Sequence, residues 1–435
     1  MRVAVVGSGI SGLAAAHHLR GRADLTLFEA GGYFGGHTHT IDVTLPGPHG
    51  PVTHGVDTGF LVFNERTYPG LIALFADLGV ATAKSDMSFS VQAPGLEWSG
   101  SSLNTVFAQR SNLFKPRFWR MLRDLLRFNA LATRIAEEGA DAQFTQPLGE
   151  FLDAHGFSAE FRDGYFLPMT ACIWSCPTEQ MLRFPVSTMI RFCHNHGLLQ
   201  VADRPQWWTV AGGARHYVDK IVAGLPDRRL NTPVLAVHRE ADGVQVQTEA
   251  GWERFDKLVL ATHSDQALAL LADASPLERE LLGAIRYQTN RAVLHTDTSV
   301  MPRRRAAWAA WNYERGPGGR EQARVCLHYW LNVLQPLPWP QPVIVSLNPV
   351  REIDRKQVMA EIDYAHPVFD MEALHAQERL PQLQGERHTY FCGAWMGYGF
   401  HEDGLKAGLA AARLLERDMA LAPTDPAPLQ PELVA

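Results

Sequence analysis

The run Gly7-Ser-Gly-Ile-Ser-Gly12 constrains this chain more than any other stretch. It follows a short β-branched segment, Val3 to Val6, and opens an Ala- and Leu-rich segment from Ser11 to Leu19. A Gly-x-Gly-x-x-Gly turn between a strand and a helix is the signature of a dinucleotide site. The first glycine permits the turn, the second lets a pyrophosphate reach the backbone, and the third allows the helix to pack closely on the strand. Free N–H groups and the dipole at the helix start then attract phosphate. Gly7, Gly9, Ser11 and Gly12 are the candidate contacts. A second strand, Leu25 to Phe28, ends at Glu29, with Ala30 beside it. Glu29 falls twenty residues after Gly9, where an acid accepts hydrogen bonds from a ribose diol. The expected class is α/β, with a Rossmann-type domain.

Length and composition bound the rest. A chain of 435 residues points to two joined domains, and 46% hydrophobic residues supply their cores. A net charge of −6 argues against nucleic acid as a partner. No apolar run reaches the roughly 18 residues of a membrane span. The start, MRVAVVGSG, lacks the features of a signal peptide, so a cytoplasmic location is expected. The five cysteines form no CxxC pair, so neither a disulfide framework nor a metal site is expected.

Further along, Val234–Val237 and Val244–Thr248 flank a Glu-Ala-Asp-Gly turn and read as a hairpin. An arginine-rich helix is predicted over about 118–138, and a mixed sheet over 320–348. The proline-rich end, 419–435, reads as a flexible tail.

After Glu29 comes the run Glu-Ala-Gly-Gly-Tyr-Phe-Gly-Gly-His37. Its second glycine pair, Gly35-Gly36, resembles that of the flavin amine oxidase and phytoene desaturase superfamily. The superfamily usually has Arg next; this chain has His37. Val234, in Asn-Thr-Pro-Val, matches the valine whose backbone meets the adenine there. The stretch from Phe391 to Leu405 resembles the superfamily's closing glycine-rich loop and helix. The resemblance implies FAD as cofactor, a GR2-like fold, and contacts from Gly35, Gly36, His37, Val234, Gly393, Asp403, Gly404 and Leu405. Its motifs sit at the start, middle and end of the chain. A discontinuous FAD domain is therefore expected over 1–75, 205–265 and 385–418, with an interleaved α+β substrate domain over 76–204 and 266–384.

Longer strings, among them Val56-Asp-Thr-Gly-Phe-Leu-Val-Phe-Asn64, Leu167-Pro-Met-Thr-Ala-Cys-Ile-Trp-Ser175 and His328-Tyr-Trp-Leu-Asn-Val-Leu-Gln335, resemble a narrower bacterial family. It is usually labelled predicted NAD/FAD-binding protein and accompanies fatty-acyl methyltransferases. Some relatives are tied to furan fatty acid formation. That resemblance implies a desaturase of a methylated or unsaturated acyl chain, with a methyltransferase as possible partner. A flavin amine oxidase and a non-catalytic flavoprotein partner stand as alternatives.

Which residues serve the chemistry is less constrained. Period-two alternation would place His328, Trp330 and Asn332 on one strand face, either lining a site or satisfied in a core. His401 directly precedes the closing helix, with Glu402 and Asp403 as its caps or as site groups. His328 and His401 are the candidate proton acceptors. Trp174, Trp207, Trp208 and Trp395 would line an apolar tunnel or simply fill the core. Arg120, Arg123, Arg127 and Arg134 share a helical arc that suits either an anionic membrane surface or a solvated face.

Overall fold

The computed structural model describes residues 1–140, 143–144, 146–200, 204–316 and 324–421. Most of the tail call, from 422 onward, lies outside them; residues up to Leu421 continue a helix. Val3 to Val6 form the inner part of strand Arg2–Val6, buried because parallel neighbours flank it on both edges. The resulting sheet has five parallel strands, ordered Asp227–Arg229, Asp24–Phe28, Arg2–Val6, Lys257–Leu260 and Thr389–Phe391. Helix Ile10–Leu19 crosses from the first strand to the second.

Helix His401–Leu421 lies along that first helix. A Cβ at Gly404 would press on Ile10 and Ser11, and one at Gly408 would collide with the Ser11 carbonyl. These two glycines, four residues apart, let the two backbones touch. The helix begins at His401 rather than at Leu405 as the sequence suggested.

The predicted hairpin spans Ala236–Glu240 and Gly243–Thr248, with a third strand, Gly251–Phe255, beside it. Behind it, helices Ser264–Leu270, Pro276–Gly283 and Met371–Arg379 join Val6 and Phe28 in one core. A mixed sheet of seven strands holds residues 89–99, 286–295, 311–314, 327–330, 344–347 and 358–368. Only the Phe89–Ala93 and Trp311–Glu314 pair in it runs parallel. That sheet packs with the helices of residues 116–195 in the largest core, around Phe128, Phe161, Phe166, Trp174 and Phe192. The arginine helix spans Pro116–Glu137, with Phe118, Met121 and Phe128 turned inward. No helix of the described residues is long and apolar enough to cross a membrane.

Candidate active site

A single cleft of about 1300 Å³ joins the glycine turn to the apolar interior. That exceeds the roughly 300–1,000 Å³ of ordinary ligand pockets and suits a dinucleotide with a substrate beyond it. At one end lie Gly7, Gly9, Ser11, Glu29, Ala30, Gly35, Gly36, His37 and Val234. Each glycine there has a distinct reason. Gly7 has φ +98°, and a Cβ would stand 2.8 Å from the Ala261 carbonyl oxygen. Gly35 has φ +125°, with Thr38 O 2.5 Å from where a Cβ would be. A Cβ on Gly9 would meet nothing within 4 Å, so its open side faces free space. Gly12 is off the wall, because a Cβ there would collide with the Gly7 carbonyl; its absence is what lets the helix close.

Glu29 is more tightly held than the sequence suggested. Its Oε2 accepts from the Ser8 N–H at 3.0 Å and the Ser8 hydroxyl at 2.5 Å, while Oε1 accepts from the Gly31 N–H at 2.8 Å. Ser8 thus fixes the carboxylate, and Oε1 retains a lone pair for a ligand hydroxyl. This fit of free backbone, helix start and acid meets the needs of a dinucleotide, and the donors on the wall suit phosphate.

Deeper in, five imidazoles meet the cleft: His37, His196, His263, His366 and His401. The His37 ring centroid is 5.0 Å from that of Tyr364, 5.4 Å from His366 and 6.2 Å from His263. Burial, then the neighbouring His366, His263 and His401, hold His37 well below the ordinary imidazole range. Its Nε2 is buried with no hydrogen-bond partner. Burial also carries His366 down to about 4 and His401 to about 3, so these rings are neutral near pH 7. His401 Nε2 lies 2.7 Å from the Tyr217 hydroxyl and 3.0 Å from Thr38 Oγ1, and its ring stacks on Phe60 at 3.8 Å. His263, His366, Tyr364 and Tyr217 were not singled out in the sequence. No local motif marks them; strands and helices far apart in the chain bring them together.

Several expected placements are corrected, besides that of Gly12. His328 is not on the wall. It is buried in the seven-stranded sheet, with Nδ1 2.7 Å from Ser346 Oγ and Nε2 2.9 Å from Glu314, which Arg351 also pairs at 2.8 Å. The sheet face carrying it turns into a polar core network, so it is no proton acceptor for this cleft. Nor does alternation extend to Asn332, since the strand ends at Trp330 and Asn332 enters helix Leu331–Leu334. Asp403, Gly404 and Leu405 also stand behind the wall, because their helix turns that side to Ile10–Leu19 or to its own start. Asp403 accepts from the Phe400 N–H at 3.0 Å, and burial raises its carboxyl to about 6. Gly393 does line the cleft, as do Trp174, Trp207 and Trp395; Trp208 does not.

The far end is walled by Met87, Phe89, Trp98, Tyr165, Met169 and Ile173. Charged side chains on the wall are few: Glu29, already bonded, and the exposed Asp86, Arg204 and Asp363. No carboxylate stands in the apolar interior among the described residues.

A parallel sheet with a glycine turn, a ribose acid and a cleft running into an apolar chamber defines an FAD-dependent oxidoreductase. Residues 10–334 match the model of the family described as flavin containing amine oxidoreductase, and the chain belongs to that family. Three solved structures share the fold. A CLA-producing fatty acid isomerase from P. acnes has a TM-score of 0.66 at 18% identity, covering 96% of this chain and 98% of its own. Cyclohexylamine oxidase from Brevibacterium oxydans IH-35A gives 0.67 at 16%, covering 96% and 99%. Putrescine oxidase, in a structure bound to putrescine, gives 0.66 at 16%, covering 97% and 99%. No curated protein matches by sequence.

Proposed function

We propose that this protein is a dehydrogenase of a fatty acyl chain, methylated or unsaturated, that creates a further double bond. The observation that carries the reading is the cleft itself. It runs from the dinucleotide turn into an apolar chamber with, among the described residues, no buried carboxylate to anchor a cation. Burying an acyl chain there is favourable at about 25 cal/mol per Å² and needs no charged partner. A buried ammonium ion would want a paired acid, which the chamber lacks among the described residues; its aromatic wall, with Trp98, Tyr165 and Trp174, is the one feature that would also suit an amine.

Bound FAD supplies the hydride acceptor for one C–H bond. The chain's own residues hold the substrate and take the proton from the adjacent carbon. Of the two histidines considered from the sequence, His401 is the one on the wall, and burial keeps its ring neutral. The hydroxyls of Tyr217 and Thr38 orient its ring. The Phe60 stack fixes its plane. An acyl methyltransferase is the kind of partner that would supply such a substrate.

The test is anaerobic bleaching of the bound flavin by candidate substrates, followed by lipid mass spectrometry. Loss of two mass units from an acyl lipid supports the reading. Bleaching by primary amines and not by lipid overturns it in favour of an amine oxidase. No bleaching by either would leave a flavoprotein without this chemistry.

A further inference from the structure

Nine large apolar residues are exposed among the described residues, and five of them fall between 103 and 126: Leu103, Leu113, Phe114, Trp119 and Leu126. Four are at least half exposed, Phe114 at 86%, Leu103 at 80%, Leu126 at 56% and Trp119 at 50%. Isolated exposed apolar side chains are ordinary; a cluster is not. On helix Pro116–Glu137, Trp119, Arg123 and Leu126 follow one another at helical spacing along the outer face. Phe114, Leu113, Pro116, Trp119, Arg120 and Arg123 bound a shallow groove at its start.

The charge around this patch opposes that of the whole molecule. Arg110, Lys115, Arg117, Arg120 and Arg123 surround it, against Glu160, which faces Arg117 and Arg120, and Asp124, which faces Arg123. The neighbourhood is thus cationic in a chain of net charge −6. Apolar and tryptophan side chains collared by arginine are what the interface of an anionic bilayer accepts.

The patch is also joined to the cleft. Ring centroids step from Trp119 to Phe107 (5.4 Å), to Phe118 (5.7 Å), to Trp98 (6.1 Å) and to Tyr165 (5.7 Å). Trp98 and Tyr165 line the cleft wall, as does Gly100, three residues before Leu103.

We propose that this surface docks the enzyme on an anionic lipid membrane. Leu103 and Phe114 enter the acyl layer, and the arginines meet the headgroup phosphates. The aromatic seam then holds the apolar far end of the cleft close to the acyl chains. The docking is independent of the chemistry; its purpose rests on the acyl-chain reading above. The occupant is lipid rather than acidic protein because exposed leucine, phenylalanine and tryptophan beside arginine suit an anionic bilayer interface, which accommodates them without a complementary protein surface.

The experiment is co-sedimentation of the FAD-loaded protein with vesicles of phosphatidylglycerol or of phosphatidylcholine. Binding to phosphatidylglycerol is expected at 0.1 M salt, at least about 10-fold tighter than to phosphatidylcholine, and weakened at 0.5 M salt. The double variant Leu103→Asp/Phe114→Asp, and separately Arg117→Gln/Arg123→Gln, should each lose about 10-fold or more. Flavin absorbance and circular dichroism report that both variants are folded. Vesicle binding that is absent, or unchanged in both folded variants, overturns the proposal. So does a self-association in sedimentation velocity that the aspartate variant abolishes, which would make the surface an interface between copies. Vesicle binding with no lipid oxidised leaves docking in place and removes the acyl-chain reading. Oxidation of detergent-dispersed lipid without vesicle binding does the reverse.

Discussion

The Glu402 carboxylate, at the start of the closing helix, accepts the Gly70 N–H at 2.9 Å, across 332 residues of sequence. Its second oxygen takes the Leu71 N–H, also at 2.9 Å, so one acid satisfies two free amides of helix Pro69–Leu78. The Glu402→Ala variant should lose about 1–2 kcal/mol of stability, the usual cost of a lost N-cap. Urea denaturation of the FAD-loaded protein measures it. A midpoint unchanged from the parent would show that water replaces the carboxylate at no cost.

Gly9 and Gly12 should fail in different ways. A Cβ at Gly9 meets no protein atom within 4 Å, so Gly9→Ala should fold normally yet bind FAD at least about 10-fold more weakly. Gly12→Ala drives a methyl into the Gly7 carbonyl and should fold poorly. Far-ultraviolet circular dichroism and flavin fluorescence titration separate the two. Full FAD affinity in Gly9→Ala would displace the pyrophosphate from this turn.

His328→Ala removes the link between Ser346 and Glu314 and leaves Glu314 buried beside Arg351. Stability should fall by about 3 kcal/mol. Turnover per bound flavin should stay near the parental value in the fraction that folds. A kcat that collapses while stability holds would return His328 to the chemistry.

His401→Phe keeps a ring against Phe60 but loses both hydroxyl bonds. Substrate-driven flavin bleaching should slow by at least about 10-fold with FAD affinity little changed. Because burial holds His401 near 3, its ionisation contributes no limb to the rate profile between pH 5 and 8. A limb in that window that disappears in His401→Phe would contradict this placement.

The same ionisations govern stability. His196, His295, His366 and His401 are depressed to about 4, 4, 4 and 3, chiefly by burial. The unfolded chain binds protons at these sites below about pH 6.5 and the folded chain does not, so each adds stability as pH rises from about 4 to 6.5. Asp57 and Asp403, raised to about 6 by burial, act with the opposite sign over about pH 4 to 6. Four imidazoles outnumber two carboxyls, so the unfolding free energy should climb from pH 4.5 to 6.5. A urea midpoint that falls across that interval would refute the assignment.

Much of the cofactor end was legible because its geometry is local. Gly7, Gly9 and Gly12 do their work within one turn, and Glu29 ends the next strand, so spacing along the chain stands in for distance in space. Asp57 shows where that reasoning stops. It sits in a string noted only for resemblance, yet its buried carboxylate holds the Ala214 N–H and the Gln335 amide, far apart in sequence. His328 was misplaced for the same reason: alternation names a strand face but not what covers it.

By itself, then, the sequence determined a parallel dinucleotide sheet, its FAD-binding turn and an oxidoreductase class, since backbone sterics and helix electrostatics act over a few residues. Tertiary structure alone decided which histidines meet the cleft, that Glu402 caps a distant helix, and that Phe114 and Trp119 share one exposed groove with Arg120 and Arg123. Those outcomes depend on packing between segments up to hundreds of residues apart. There burial selects which side chains lose their water and which keep it.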